Sequence, residues 1–233
     1  SYYFFHRKWK KETALQLTED PEEIANIYAY ESIQQKNQAL ENLKTIYQNN
    51  PSHHVLEFLV LRELNKLEDW IFTPYYTNSS PSISGSSSHE KTLLERSEED
   101  RIYAQKVLDF INNIDLEKIH DVMTWKYAQI ELLFMTHNYE KCITNINSFE
   151  ENYKEEKCIE QIEKLKGLCL IAKQEKGKTI ITPKIQQLVL KYKNDNRFLF
   201  SVGREFEFNE NLLDGISIIS LINKSEDYES YMN

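Results

Sequence analysis

Glycine and proline are scarce in this chain, five of each in 233 residues. That scarcity removes most of the tight turns a hairpin-rich β fold needs. The glycines at 85, 167, 177, 203 and 215 stand alone, so no glycine-rich loop is available to cradle a phosphate. No apolar run approaches the roughly 20 residues that cross a bilayer as a helix. No HExxH or GxSxG motif occurs. His53, His54, His89, His120 and His137 form no i, i+4 pair with one another and read as surface or capping residues. A dense basic surface is missing as well. The net charge is −9 and Lys and Arg are dispersed, which argues against nucleic-acid binding. The three cysteines, Cys142, Cys158 and Cys169, include no CxxC pair. They suit thiols packed as small hydrophobes in a reducing, intracellular compartment. Together these absences leave no enzyme chemistry, metal, cofactor or small-molecule substrate to expect.

What the chain does have is helical periodicity. The 40% hydrophobic content is ample for a core, and the expected class is all-α. The segment "PEEIANIYAYESIQ" (21–34) opens with proline and two acids, as a helix N-terminus does, and carries Ile24, Ile27, Tyr28 and Tyr30 as its apolar stripe. Further helices are expected over about 37–48, 53–68, 91–112, 118–136, 139–153, 156–175 and 183–192. Between them, "TPYYTNSSPSISGSSSHEK" (73–91) is Ser-rich and lacks a helical period, so it reads as a flexible insertion with Ser80-Pro81 as a phosphorylation candidate. At the end, "RFLFSVGREFEF" alternates partly like a strand, whereas Leu212, Ile216, Ile219 and Ile222 have helical spacing. A helical tail is the expectation.

One spacing recurs. Ala39, Leu43 and Ile46 form A-x3-L-x2-I, as do Ala104, Leu108 and Ile111; Cys142, Ile146 and Phe149 repeat the offsets with a different small residue. The preceding helices keep register too. Ile27 and Tyr30 lie twelve and nine residues before Ala39, and Ile130 and Leu133 lie at those distances before Cys142. A shared register across a turn is what two helices need to pack at one fixed crossing point.

The stretch "WKYAQIELLFMTHNYEKCITNINSF" (125–149) resembles a tetratricopeptide repeat, with Asn138-Tyr139 at the turn. "IANIYAYESIQQKNQALENLKTIYQNNP" resembles another, its Pro51 falling at the repeat-ending proline. Residues 53–111 resemble a third repeat split by the insertion, and 157–193 a fourth. The glycines usual in the first helix and the turn are absent throughout. The resemblance implies an α-solenoid of antiparallel helix pairs over 1–193, interrupted at about 73–91, with 194–233 as a C-terminal capping segment. It also implies a concave face on which Tyr28, Arg62 and Glu131 take equivalent places, with Glu31 and Lys66 one turn further on. The Lys and Asn set that clamps chaperone carboxylate tails is not at those places, where Ile24, Phe58 and Tyr127 accompany them.

The function implied is a non-enzymatic interaction scaffold or adaptor, a subunit of a larger complex that binds a partner helix or extended segment. Two other readings stand beside it. The opening "SYYFFHRKWKK" has aromatics followed by cations, the pattern that flanks the cytoplasmic end of a membrane span, which suggests an upstream anchor and a cytosol-facing adaptor. "NPSHHVLEFLVLREL" is similar to the α subunit of protein prenyltransferases, though it lacks the expected Trp and misplaces the Arg; an accessory enzyme subunit is the third reading.

Overall fold

The computed structural model describes residues 11–83, 92–154 and 157–222, and all regular structure among them is α-helical. The fold is all-α. Residues 1–10 of the aromatic and basic opening, the second part of the Ser-rich run (84–91) and the last eleven residues lie outside the described residues. The chain divides into two compact units, Ser1–Thr136 and His137–Asn233.

The first unit holds α1 (Lys11–Leu15), α2 (Pro21–Gln34), α3 (Leu40–Asn49), α4 (Leu56–Thr77), α5 (Leu93–Asn112) and α6 (Val122–Met135). Consecutive helices pair, α2 with α3 and α4 with α5, and α6 then packs on both α4 and α5. Their starts are fixed locally. Asp20 caps α2 ahead of Pro21, Thr92 and Glu95 form a capping box on α5, and the Asp121 carboxylate accepts from the Met123 and Thr124 amides. The helix expected over 53–68 runs on to Thr77 and stops at Asn78, whose φ of 55° is left-handed. Pro74 lies inside it, buried, so packing holds a helix that local sequence would end. The non-helical part of the insertion therefore begins at Asn78 rather than at 73.

The second unit holds α7 (Tyr139–Asn152), α8 (Ile159–Ala172), α9 (Pro183–Lys191), α10 (Asn196–Phe208) and α11 (Leu212–Ile219). Here α7, α9 and α10 all pack on α8, and α11 packs on α10. The core gathers Ile171, Ile185, Val189, Leu199, Val202 and Phe206. Asn209 donates to the Ile171 carbonyl at 2.7 Å and Asn211 to the Thr179 carbonyl at 2.8 Å, tying the α10–α11 turn to the end of α8 and the segment after it.

All nine residues of the recurring spacing are buried: Ala39, Leu43 and Ile46, then Ala104, Leu108 and Ile111, then Cys142, Ile146 and Phe149. On α2, however, the fully buried positions are Ala25, Ala29 and Ser32, and Tyr30 of the expected apolar stripe is exposed. Small side chains line the closest approach and the large ones stand at its margins. The division at Thr136 and His137 falls inside the stretch 125–149, so its two helices, α6 and α7, belong to different units. Within its own unit Cys142 meets Cys169 of α8, with the sulfurs 3.4 Å apart.

Candidate interaction surface

Arg62 sits on α4 one turn after Phe58 and reaches across to the end of α2. Its guanidinium donates to the Ile33 carbonyl at 2.9 Å and to the Gln35 carbonyl at 3.2 Å, satisfying carbonyls that a helix end leaves without intrahelical partners. Around this junction three large side chains face solvent: Tyr30 and Ile33 on α2 and Phe58 on α4, which are 46%, 41% and 54% exposed. Tyr30 and Ile33 share one side of α2 by their i, i+3 spacing, and Phe58 shares a side of α4 with Arg62. An Arg framed by aromatic and aliphatic side chains is the composition of strongly contributing positions in protein interfaces.

The other residues expected on a concave face are placed differently. Glu31 pairs with Lys11 of α1 at 2.8 Å, and the Lys11 ammonium lies over the Tyr28 ring, 5.0 Å from its centroid. Glu31 and Tyr28 thus anchor α1 on α2. Lys66 is buried. It pairs with Glu63, donates to the Asn37 carbonyl at 2.6 Å and lies over the Trp70 ring. Burial depresses its pKa, against the opposing pull of Glu63. Glu131 is buried on α6, where loss of solvent and the nearby Glu68 carboxylate push its pKa up to about 8, opposed by a hydrogen bond to Tyr127. Arg62, Tyr28 and Glu31 are therefore half-buried, the last two beneath α1, while Lys66 and Glu131 hold the interior. Phe58 was expected beside Arg62 on that face, whereas helical periodicity assigned Tyr30 inward; the burial of Ala25 and Ala29 shows which side of α2 is which.

A cavity of about 370 Å³ opens in the same unit, lined by Trp70, Pro74, Ile83, Leu93, Arg96 and Asp100 among others. Asp69 shapes its wall by accepting from the Ser82 and Ile83 amides, and Trp70 donates to the Ile83 carbonyl. Burial raises Asp100 to about 6, although Arg96 counters it. His53 is buried, stacked on His54, with Nε2 3.3 Å from Asn26 Oδ1; burial lowers its pKa. Among the described residues no group of three or more His, Cys, Asp or Glu side chains is arranged to hold a metal ion. Nor is any helix among them long and apolar enough to cross a membrane.

No family model, characterised protein or solved structure matches this chain.

Proposed function

We propose that the chain is a non-enzymatic protein-interaction scaffold, a subunit of a larger assembly, built from tetratricopeptide-like helix pairs. Its partner lies along the surface around Arg62, and the partner's docking segment carries large apolar side chains that pack on Tyr30, Ile33 and Phe58. The observation that carries this reading is an arginine held in place by two carbonyls between α2 and α4, with Tyr30, Ile33 and Phe58 of the same two helices each more than two-fifths exposed. An arginine fixed beforehand loses little side-chain entropy when a partner packs on it. The pairing of α2 with α3 and of α4 with α5 supports the helix-pair description.

The test is affinity purification of the full chain with crosslinking mass spectrometry, comparing wild type with Tyr30→Ala/Phe58→Ala. Both residues are exposed, so helicity and Tm should stay within experimental error while recovery of the specific partner falls at least tenfold. Arg62 is a poorer probe because its loss also frees the α2 carbonyls. An unchanged partner set in the double variant would sink the assignment of this surface.

A further inference from the structure

Helix α11 packs on α10 through glycines. A Cβ placed on Gly215 would stand 2.8 Å from the Gly203 carbonyl oxygen, so the two backbones are in direct contact there. Ile218 is buried on that side. The opposite side is apolar and in water: Leu212, Leu213 and Ile216 are 56%, 81% and 64% exposed, with Ser217 and Ser220 exposed beside them. From Glu205 to Ile222 the chain has four carboxylates and no Lys or Arg. Of these, Glu205 is buried, Glu207 pairs with Arg204 and Asp214 accepts from the Asn211 side chain at 2.7 Å; Asp214 and the exposed Glu210 stand at the N-terminal end of the apolar stripe.

We propose that this outer side of α11 is a second docking surface, taking a basic amphipathic helix of a partner protein. The inference rests on the scaffold reading and adds a site and a partner chemistry to it. Three anchors at i, i+1 and i+4 suit a single helix laid along another. They fall well short of the roughly 800 Å² per partner that a stable dimer of copies needs. Two copies face to face would also bring their Glu210 and Asp214 carboxylates together. The chain's own last residues, 223–233, carry one Lys against three acids and have the wrong sign for the same reason. An anionic lipid surface is disfavoured equally, since its negative potential attracts basic segments and repels acidic ones. A helix with a Leu/Ile stripe flanked by Lys or Arg satisfies both the apolar side chains and the acids.

The probe is a pair of labelled synthetic peptides, an idealised Leu/Lys amphipathic helix and its Leu/Glu counterpart, titrated by fluorescence anisotropy against the full chain. The Leu/Lys peptide should bind saturably at one per chain, and the Leu/Glu peptide at least tenfold more weakly. Leu213→Ser/Ile216→Ser keeps every charge and should lower Leu/Lys affinity at least tenfold. Ser217→Lys, an exposed single change, should weaken the Leu/Lys peptide and strengthen the Leu/Glu one, and it serves if the double variant misfolds. Equal binding of the two peptides overturns the proposal, as does wild-type affinity in these variants. So does a wild-type dimer by light scattering that Leu213→Ser/Ile216→Ser dissolves, or binding that appears only when residues 223–233 are removed. Any of those results leaves the Tyr30/Phe58 test of the scaffold untouched.

Discussion

Ala39 has no side chain with which to cap α3, and the cap is supplied from elsewhere in the fold. Its amide donates to Glu63 on α4 at 3.0 Å and to the Tyr103 hydroxyl on α5 at 3.1 Å, and the Leu40 amide also donates to Tyr103. Tyr103 in turn donates to Glu63, whose other oxygen holds Lys66. Three helices thus meet at one buried, hydrogen-bonded carboxylate. Glu63→Ala leaves the buried Lys66 ammonium without its counter-charge, and should cost about 3–5 kcal/mol in urea denaturation. Replacing both charges, as in Glu63→Gln/Lys66→Met, should recover much of that. Tyr103→Phe, which leaves the Leu40 amide without its acceptor, should cost about 1–3 kcal/mol. A Tyr103→Phe variant as stable as wild type would show that the hydroxyl is not the cap.

Glu131 makes a second prediction at the same scale. Its pKa rises from 4.5 to about 8 on folding, mainly because the carboxylate would be desolvated. The folded chain therefore keeps a proton that the unfolded chain releases between those values. The resulting stability is fully present below the unfolded value and is lost as pH rises through about 8. Glu68 and Asp100, also raised by burial, act in the same direction. The urea midpoint should fall from about pH 5 to about pH 8.5, and Glu131→Gln should flatten the slope. A slope unchanged in that variant would move the titrating group elsewhere.

At the scale of the element, Gly203 and Gly215 set the α10–α11 contact. A Cβ on Gly203 would overlap Ile219 Cγ1 and stand 2.8 Å from its Cδ1 and 3.0 Å from the Gly215 carbonyl oxygen. A Cβ on Gly215 would meet the Gly203 backbone oxygen itself. Neither alanine therefore fits without a shift of α11 on α10. Each is expected to cost on the order of 1–3 kcal/mol, read as a drop in Tm, and a neutral Gly215→Ala would mean that α11 is held some other way. Neither glycine is legible as a packing residue from its neighbours, because the contact is between segments twelve residues apart. The same limit explains α10. "RFLFSVGREFEF" alternates partly like a strand, yet Phe198, Leu199, Val202 and Phe206 are its large buried hydrophobics, a helical spacing that shows once α8 is there to receive it. The start of α2, by contrast, was legible because its signal, Pro21 and the two acids after it, is local; the caps from Asp20, Thr92 with Glu95, and Thr182 came from the structure. The recurring small-x3-large-x2-large spacing marked buried positions in three helices. It did not reveal that Lys66 and Glu131 were interior, since charged residues at helical spacing look alike in water and in a satisfied pocket.

For the whole molecule, the division between Thr136 and His137 carries a consequence for folding. Each unit buries its own core: Leu43, Ile46, Leu67, Ile71 and Leu108 in the first, Ile171, Val202 and Phe206 in the second. Each also has the size of an independently folding domain. Residues 1–136 and 137–233 expressed separately should each be helical by circular dichroism and melt cooperatively. In the second fragment, Gly215→Ala should lower the Tm; in the first, Glu63→Ala should do so. The pairing of helices also bears on the outcome. The stretch 125–149 would fold as a unit of its own if α6 and α7 were one repeat, and cutting after Thr136 would then leave both fragments with a disordered end. Because α6 packs on α4 and α5, and α7 on α8, amide hydrogen exchange should find α6 protected in the first fragment and α7 protected in the second. Rapid exchange through either helix would show that the cut severs a cooperative pair, and the four-helix-pair register would then describe folding better than the two compact cores do.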